Sequence, residues 1–299
     1  MIDLKPWGEI NYPDMKDADV CIMGIPFDGA VSCEKGAAKG PEMLRNLSRF
    51  LPPATEEGRF FPELKVYDDG DVETDLDWQR YYQAVEERAY TLFKSGAFCL
   101  FLGGDHSVTI PLHRAFARQF KGKKIGIIHF DSHLDMNDEY DGHKWSHACT
   151  ERRAVEDIIK PEDLALVGIR SWELDERKYI DNHPEVLLIS AREIPMQSWQ
   201  NACEKLKERF SVYDAVYLTF DIDALDPSCA PGTGTPELGG LTGREALEMI
   251  RFLMGELPIR AMDVVEVAPP LDTTNNITSW AALKLIYEVF GKLPLNFRD

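Results

Sequence analysis

Residues 124–135 read KIGIIHFDSHLD, an apolar run that leads directly into Asp131, His133 and Asp135 at alternate positions. The run 124–130 is almost continuously apolar, which is typical of a strand that is covered on both faces of a parallel sheet. Other short apolar runs of this kind recur along the chain, with helix-period segments between them. Strands that alternate with helices predict βαβ units and a single parallel sheet between helical layers.

The predicted elements cover most of the chain. Strands are expected at 19–27, 64–69, 98–102, 124–130, 164–170, 185–190, 215–222 and 259–267. The helix-period segments are 78–95, 107–120, 197–210, 242–256 and 276–291. No internal repeat, low-complexity tract or linker interrupts them, so we expect one domain over residues 1–299.

The composition argues against several classes of protein. The chain has 299 residues with 33 Lys and Arg against 51 Asp and Glu, a net charge of −18 that offers no basic face to nucleic acid. No segment approaches the run of about 20 apolar residues that spans a membrane, and residues 1–9 lack the basic and then apolar pattern of a signal peptide. Six scattered cysteines without a Cys-x-x-Cys pair indicate neither a disulfide framework nor a zinc ribbon. We therefore expect a cytoplasmic protein with no nucleic-acid or membrane partner.

Polar side chains follow four of the predicted strands at the point where each strand ends. The sequences at these junctions are GGDHS at 103–107, DSHLD at 131–135, DID at 221–223 and EVAP at 266–269. Because ligands bind beyond the carboxyl ends of parallel strands, we expect these side chains to converge on one crevice. Alternate residues of an extended chain point the same way, so each Asp-x-His-x-Asp or Asp-x-Asp motif presents its polar members together.

The four aspartates of these motifs would repel one another strongly unless cations neutralised them. Two divalent cations would balance four carboxylates, with His106 and His133 as imidazole ligands. Such an oxygen-rich set suits Mn²⁺ or a similar ion, and no cysteine lies among these residues to suggest a structural zinc site. One motif alone is often only a helix cap, whereas three motifs at three strand ends favour a metal site.

Two further features border the predicted site. The glycine-rich stretch 231–236 (PGTGTP) lacks the Gly-Lys-Ser/Thr of a phosphate loop, so we expect a shaped loop that walls the metal crevice. His129 shares the Asp131 face of its strand and is expected to contact that ligand. His113, His143 and His183 are expected to be core or surface residues.

Five motifs carry a resemblance to a known family. They are GGDHS at 103–107, FDSHLD at 130–135, SHACTERRA at 146–154, FDIDALDPSCAPGTGTPELGGLT at 220–242 and DVVEVAP at 263–269. In these motifs, and along nearly the whole chain, the sequence resembles the ureohydrolase (arginase/agmatinase) family. The resemblance implies an arginase-like three-layer α/β/α sandwich with a mostly parallel sheet of about eight strands. It also implies a homotrimer or homohexamer, and a centre of two Mn²⁺ ions per subunit that hydrolyses a guanidinium group to urea and an amine.

The resemblance also assigns roles to single residues. One metal would be held by His106, Asp131, Asp135 and Asp221. The other would be held by Asp131, His133, Asp221 and Asp223, so that Asp131 and Asp221 bridge the two ions. The catalytic residues would be Asp135, which accepts the proton of the attacking water, His147, which relays protons, and Glu266, which faces the guanidinium.

The expected substrate is a small cationic guanidino compound. Agmatine, which would be cleaved to putrescine and urea in polyamine biosynthesis, is the first choice. After GIR at 168–170 the chain continues with SWE at 171–173, which resembles agmatinases. Asp138, Glu139 and Asp141 would form an acidic rim that repels a carboxylate and attracts a second cation. A solvated acidic loop is the alternative interpretation of these three residues.

Other activities of the same family stay open. They are those of a guanidinobutyrase, a guanidinopropionase, an arginase or a formimidoylglutamase, besides a catalytically silent metal-binding relative. Asn137 matches a position at which arginases bind their substrate, although the loop that follows lacks their hydroxyl-rich sequence. Many relatives have Ser-x-Arg-x-Gly where this chain has Ser32-Cys33-Glu34-Lys35-Gly36, which leaves recognition of the substrate's tail open. A silent relative is expected to lack a ligand, and none of the six is missing here.

Overall fold

The computed structural model describes residues 5–294, and its centre is a sheet of eight strands. The strands are β1 (Val20–Gly24), β2 (Val66–Asp71), β3 (Phe98–Leu102), β4 (Ile125–Phe130), β5 (Leu164–Ile169), β6 (Leu187–Ser190), β7 (Ala215–Asp221) and β8 (Ile259–Val265). Every neighbouring pair is parallel, and the order across the sheet is β2-β1-β3-β8-β7-β4-β5-β6. All eight predicted strands are present, and the prediction of a mostly parallel sheet is confirmed.

Nine α-helices accompany these strands within residues 5–294. They are α1 (Gly40–Ser48), α2 (Trp78–Phe93), α3 (Thr109–Gln119), α4 (Thr150–Asp157), α5 (Leu174–Asn182), α6 (Glu193–Gln197), α7 (Trp199–Phe210), α8 (Gly243–Glu256) and α9 (Ile277–Lys292). The five predicted helical segments correspond to α2, α3, α7, α8 and α9. The sequence pattern did not predict the other four, which are short. In α5 only Glu176 is buried, so this helix has no apolar stripe by which to recognise it.

The sheet is buried on both faces, because successive residues of one strand enter different apolar cores. Leu100 of β3 lies in the core that also contains residues of α1, α7, α8 and α9. The next residue, Phe101, lies in the core that contains residues of α2, α3 and α4. Burial on both sides explains why β1, β3, β5 and β7, which are buried at every residue, are mostly apolar without alternation. The prediction of a three-layer α/β/α sandwich is confirmed.

The four strands that end in polar motifs are consecutive neighbours in the sheet, in the order β3-β8-β7-β4. Phe130 of β4 is paired with Phe220 of β7. Val264 of β8 is paired with both Phe220 and Leu102 of β3. The residues that follow these paired positions therefore leave the sheet at one level of one edge, where parallel sheets bind ligands.

Residues 1–4 and 295–299 lie outside the described part of the chain. The first four positions of the N-terminal stretch 1–9, on which the prediction of no signal peptide partly rests, are among them. None of the helices in the described part combines the length and the apolar content that a membrane crossing requires. All eight strands belong to one sheet, and the single-domain organisation of residues 1–299 stays a prediction.

Candidate metal centre

Short hydrogen-bonded turns at the strand ends orient the acidic side chains. After β4, Asp131 Oδ1 accepts a hydrogen bond from the backbone N–H of His133 at 2.6 Å. At the end of β7, Asp221 Oδ1 accepts one from the N–H of Asp223 at 2.8 Å. Aspartate side chains commonly bind the backbone two residues further on in this way. In both motifs these bonds link the first polar residue to the one two positions later.

Three carboxylates converge on one nitrogen of His106, in the turn after β3. The Oδ2 atoms of Asp131, Asp135 and Asp221 lie 3.0, 3.1 and 3.2 Å from the Nδ1 of this imidazole. Neither that nitrogen nor the Oδ2 atoms of Asp131 and Asp135 has a hydrogen-bond partner among the described residues, although all three atoms are buried. Buried polar atoms are rarely left without partners. These four residues, here called the first cluster, therefore fit a cation held between them.

A second cluster, formed by Asp131, His133 and Asp223, shares Asp131 with the first. His133 Nδ1 lies 3.2 Å from Asp131 Oδ1 and 3.2 Å from Asp223 Oδ2. Asp131 thus presents Oδ2 to the first cluster and Oδ1 to the second, an arrangement suited to a carboxylate between two cations. The donor set contains carboxylates and imidazoles without sulfur, which suits Mn²⁺ and similar ions. The six predicted ligands are brought together, and their role as ligands stays a prediction.

Hydrogen bonds behind His106 select the nitrogen that faces the carboxylates. Thr219 donates its hydroxyl proton to Asp263 Oδ1 at 2.6 Å. The hydroxyl oxygen of Thr219 lies 2.8 Å from His106 Nε2, and because its own proton is engaged it accepts from an Nε2–H. In the neutral imidazole this tautomer leaves Nδ1 without a proton, as a metal ligand requires.

The buried acids and imidazoles shift one another's protonation. Burial raises the pKa of Asp221 well above its usual range, and the charges of Asp223 and Asp131 raise it further. Burial disfavours the charged form of His106, but the three surrounding carboxylates raise the pKa of its imidazole well above the usual range. The site therefore requires positive charge, which protons on the imidazoles or divalent cations in their place can supply.

Glu266 and His147, the two catalytic residues predicted outside the ligand set, lie beside the first cluster. Glu266 Oε1 accepts a hydrogen bond from the backbone N–H of His106 at 2.8 Å. His147 Nδ1 lies 3.6 Å from the same oxygen. Burial opposes protonation of His147, but Glu266 raises its pKa to about 9. Glu266 and Asp135 both have left-handed backbones, with φ of 60° and 53°, and such strain often occurs at functional sites.

A cavity of about 170 Å³ opens over Asp135 and His147. Its other lining residues are Ser32, His133, Asn137, Tyr140, Ala148, Ser171, Trp172, Glu173, Glu176 and Thr235. Lysine and arginine are absent from this set of described residues, whereas Glu173 and Glu176 add acid to the lining. Burial raises the pKa of Glu176 to about 7, although the backbone N–H groups of Met136 and Glu173 donate to its carboxylate. The cavity is therefore suited to a cationic molecule.

Comparison with known proteins agrees with this geometry. The arginase family is matched over residues 18–291. The chain belongs to the arginase family. It is 36% identical over 292 residues to a guanidinobutyrase of Pseudomonas aeruginosa, with 95% of this chain and 90% of the relative covered. It is 39% identical over 292 residues to an agmatinase of Neisseria meningitidis serogroup A, with 93% of this chain and 90% of the relative covered.

Solved structures of arginase-family proteins share the fold. The TM-score is 0.84 with a hypothetical agmatinase from Burkholderia thailandensis, at 34% identity over 96% of this chain and 88% of that one. It is 0.87 with a proclavaminate amidino hydrolase from Streptomyces clavuligerus, at 30% identity over 96% of each chain. The resemblance drawn from the motifs is confirmed, and the chain is an amidinohydrolase of the arginase family.

Buried residues behind the centre of this arginase-family chain were only partly identified from the sequence. His129 contacts Asp131 as expected, with Nε2 at 3.2 Å from Oδ2. Its Nδ1 lies 3.1 Å from Oε1 of Glu151, which the sequence did not reveal because α4 was not predicted. Asp263 was also missed, although an acid inside the apolar strand β8 is a signal that could have found it.

The acidic rim expected from Asp138, Glu139 and Asp141 is not part of the wall of this cavity. These side chains are exposed, and Asp138 accepts hydrogen bonds from Arg153 at 3.0 Å and Lys144 at 3.3 Å. The alternative interpretation, a solvated acidic loop, is the one that this placement favours. Besides Asp135, the acids that line the cavity come instead from α5 and the residue before it.

Two loops border the crevice as the sequence suggested. Thr235 of the glycine-rich stretch lines the cavity, and its Oγ1 lies 3.4 Å from Asp223 Oδ2. Ser32, from the stretch that departs from many relatives, also lines the cavity. Its N–H and Oγ lie 3.1 and 3.0 Å from His147 Nε2. The departure at Cys33 therefore lies next to a residue that contacts a predicted catalytic group.

Proposed function

We propose that this chain hydrolyses agmatine to putrescine and urea. The observation that carries the choice of substrate is the charge of the cavity, whose described lining includes acids but neither lysine nor arginine. Agmatine has a guanidinium at one end and an ammonium at the other, whereas guanidinobutyrate and arginine carry a carboxylate that an acidic wall disfavours. Relatives named agmatinase, at 39% and 40% identity, support the same choice.

We expect the two clusters to hold two Mn²⁺ ions per subunit. The first ion is assigned to His106, Asp131, Asp135 and Asp221, and the second to Asp131, His133, Asp221 and Asp223. The tautomer imposed by Thr219 and the unpartnered carboxylate oxygens support this assignment. The chemistry that such ions supply when bound is the activation of water near neutral pH.

The remaining steps fall to side chains of the chain itself. Glu266 uses Oε1 to accept from His106, which leaves Oε2 for a charge-assisted hydrogen bond that orients the guanidinium. Asp135 presents Oδ2 to the first cluster, and its carboxylate accepts the proton of the attacking water. His147 lines the cavity and relays a proton to the departing amine.

Glu173 and Glu176 hold the ammonium group of the substrate. Both line the cavity that extends from Asp135, and a second cation placed there offsets the cost of burying Glu176. The main competing substrate is guanidinobutyrate, because a guanidinobutyrase is among the similar proteins. Apart from the imidazoles of His133 and His147, which the proposal places at the reacting end, its carboxylate would find hydroxyl and amide partners such as Ser171 and Asn137 beside the two glutamates.

Urea release from a substrate panel tests the proposal. With the Mn²⁺-loaded wild type, kcat/KM for agmatine should exceed the values for guanidinobutyrate, guanidinopropionate and arginine by about a hundredfold, or about 2.7 kcal/mol. A preference for arginine or guanidinobutyrate would overturn the choice of substrate and leave the hydrolytic centre in place. Urea from none of them would favour formimidoylglutamate as substrate or a silent relative.

A matched pair of variants locates the ammonium site. Glu173→Gln should raise KM for agmatine about tenfold with a smaller change in kcat, because the lost contact binds the ground state and the transition state alike. Glu139→Gln, an equal change on the exposed acidic loop, should leave both constants unchanged. If Glu139→Gln raised KM and Glu173→Gln did not, the acidic rim of the exposed loop would be the part that binds the ammonium group. A cytoplasmic location, a homotrimer or homohexamer and a place in polyamine biosynthesis stay predictions.

A further inference from the structure

Arg170, directly after β5, directs its guanidinium entirely at main-chain carbonyl groups. Its Nη2 donates to the carbonyl oxygens of Asp223 at 2.7 Å, Glu237 at 2.8 Å and Leu225 at 3.3 Å. Its Nη1 donates to Gly168 O at 3.1 Å, and its Nε reaches Glu237 O at 3.3 Å. Arg170 forms no ion pair with a described carboxylate, unlike Arg251 or Arg153.

The main chain at Arg170 holds a second turn of the metal centre. The backbone N–H groups of Arg170 and Ser171 both donate to Ser132 O at 2.9 Å. Ser132 lies between Asp131 and His133, and its own N–H donates to Asp223 Oδ1 at 3.0 Å. Arg170 therefore binds both turns that carry the second cluster. Its backbone binds the turn at Ser132, and its side chain binds the turn at Asp223.

The loop that follows β7 needs such a partner because it lacks regular structure. After the short turn Ile222–Ala224, no helix begins before α8 at Gly243. The Ala224 carbonyl accepts from the backbone N–H of Leu241 at 2.9 Å, whereas the carbonyls of Asp223 and Leu225 accept from Arg170. Buried or half-buried carbonyls without donors are costly. A planar guanidinium with five fixed N–H groups reaches several carbonyls at once, which a lysine ammonium cannot reproduce.

Two residues of the first cluster, His106 and Asp135, have different supports. His106 is held by Thr219 and by Glu266, and Asp135 O accepts from the N–H groups of Glu151 and Arg152. None of these bonds involves Arg170. A loss of the guanidinium should therefore loosen Asp223 and the loop that bears Thr235 while it leaves His106 and Asp135, which belong to the first cluster alone, in place.

We propose that Arg170 is a positioning residue that fixes the second cluster for cation binding. Metal ligands need placement within about 0.5 Å, and their supporting contacts commonly change metal affinity tenfold to a hundredfold. The inference rests on the proposed metal centre. It adds a residue whose loss weakens one of the two cation sites and spares the other.

Manganese titration of the full chain tests this inference. We compare wild type, Arg170→Ala and Arg170→Lys by calorimetric titration with Mn²⁺ and by bound-metal analysis. Arg209→Ala is the matched control, since Arg209 also donates to two carbonyls, Glu162 O at 2.8 Å and Glu185 O at 3.0 Å, but before β5 and β6 at the opposite edge of the sheet. Arg209→Ala should bind two ions with the same two affinities as wild type. Both Arg170 variants should keep one affinity and lose at least tenfold in the other.

Three further readouts separate positioning from general damage. The Mn²⁺ concentration for half-maximal activity should rise in the Arg170 variants, while kcat at saturating Mn²⁺ should recover most of its value. The paramagnetic resonance signature of two coupled Mn²⁺ ions should weaken at low metal loading in the Arg170 variants and persist in Arg209→Ala. Thermal unfolding without metal checks the fold, and Arg170→Lys keeps the test valid if Arg170→Ala does not fold.

The outcomes distinguish this inference from the proposed function. Two wild-type affinities in Arg170→Lys, or an equal loss at both sites, would overturn the positioning role and leave the proposed function intact. A wild type that binds no Mn²⁺ and releases no urea would overturn the proposed function itself. Selective weakening of one site in a folded variant supports both.

Discussion

Two buried groups of charged residues in this chain, one at the carboxyl ends of the strands and one between α8 and α9, differ in how their negative charge is neutralised. At the strand ends, the ion-pair partners of the four clustered aspartates are, among the described residues, histidines alone. Between α8 and α9, Glu288 is just as buried, but it is paired with Arg251 at 2.8 Å and Lys284 at 2.7 Å. It also accepts a hydrogen bond from the N–H of Glu56 at 2.8 Å.

The difference shows where the fold relies on a charge from outside the chain. A buried carboxylate needs a compensating positive charge, and Arg251 demonstrates that this fold can bury an arginine for that purpose. No such residue faces the described aspartates of the first and second clusters. The negative charge of Glu288 is neutralised by side chains of the chain itself, whereas the aspartates at the strand ends are arranged for an added cation.

Among the variants that test this contrast, Asp221→Asn is expected to have the largest effect. The change removes a carboxylate from the metal centre, so Mn²⁺ content should fall below two ions per subunit and urea release should fall at least about a thousandfold. Burial raises the pKa of Asp221, which means that its charged form is costly at neutral pH. Without metal, the variant should therefore be at least as stable as wild type. Metal analysis, a urea assay and thermal unfolding measure these effects.

Two results would contradict that expectation. A variant with two bound ions and normal turnover would show that Asp221 is not a ligand. A large loss of stability in the metal-free variant would place Asp221 with Glu288, as a residue that the chain itself needs as a charged group. The rise in melting temperature on Mn²⁺ addition provides the internal control, since it should be large for wild type and small for Asp221→Asn.

Glu266→Gln should give the next largest effect. The amide keeps an oxygen that can accept from the N–H of His106 but loses the charge that faces the guanidinium. We expect kcat to fall about a hundredfold to a thousandfold while Mn²⁺ content stays unchanged. Steady-state kinetics and bound-metal analysis on one preparation check both halves. Substantial activity in this variant would remove Glu266 from the role of substrate anchor.

Arg251→Met tests the structural cluster. It leaves Glu288 buried with one cation fewer, and we expect a loss of about 3 kcal/mol in the free energy of unfolding. Turnover per folded molecule should not change, because the residue lies on α8, away from the strand ends. Urea unfolding measures the loss, and the double variant Arg251→Met/Glu288→Met should recover much of it. If the single variant were as stable as wild type, the chain would not need Arg251 to neutralise Glu288, and the contrast with the metal centre would fail.

The smallest expected effect is on the stability of the protein at acidic pH. A hydrogen bond from Arg244, with help from Arg251 and against the cost of burial, lowers the pKa of Glu56 to about 2. Because the pKa is depressed in the folded state, this group stabilises the protein above pH about 4.5 and loses that contribution as the pH falls toward 2. Glu56→Gln should therefore cost about 1 kcal/mol at pH 6, allowing for solvent screening, and clearly less near pH 2.

Denaturant unfolding over this pH range, with Glu57→Gln as the control, measures the effect. Glu57 is an exposed neighbour of the same residue type, so its replacement should leave the pH dependence unchanged. Equal pH profiles for Glu56→Gln and wild type would show that the pairing with Arg244 contributes no stability.

A comparison of β4 with α5 shows how far the sequence alone can be taken. The strand was predicted to within one residue, because its apolar run and the Asp-x-His-x-Asp motif are both local patterns. The helix is short and mostly charged, so it was not predicted, and Glu176 was not expected at the substrate cavity. The exposed acids of the 138–141 loop were assigned that role instead, because their position in the sequence does not reveal the contacts with Arg153 and Lys144.

The sequence by itself determined the eight strands, the polar residues at their carboxyl ends and the family, since each is visible in the order of neighbouring residues. Only the tertiary structure decided that β3, β8, β7 and β4 lie side by side, and that Arg170 binds both turns of the second cluster. It also decided which buried acids receive a cation from the chain. These features depend on contacts between residues far apart in the chain, and local periodicity carries no information about such contacts.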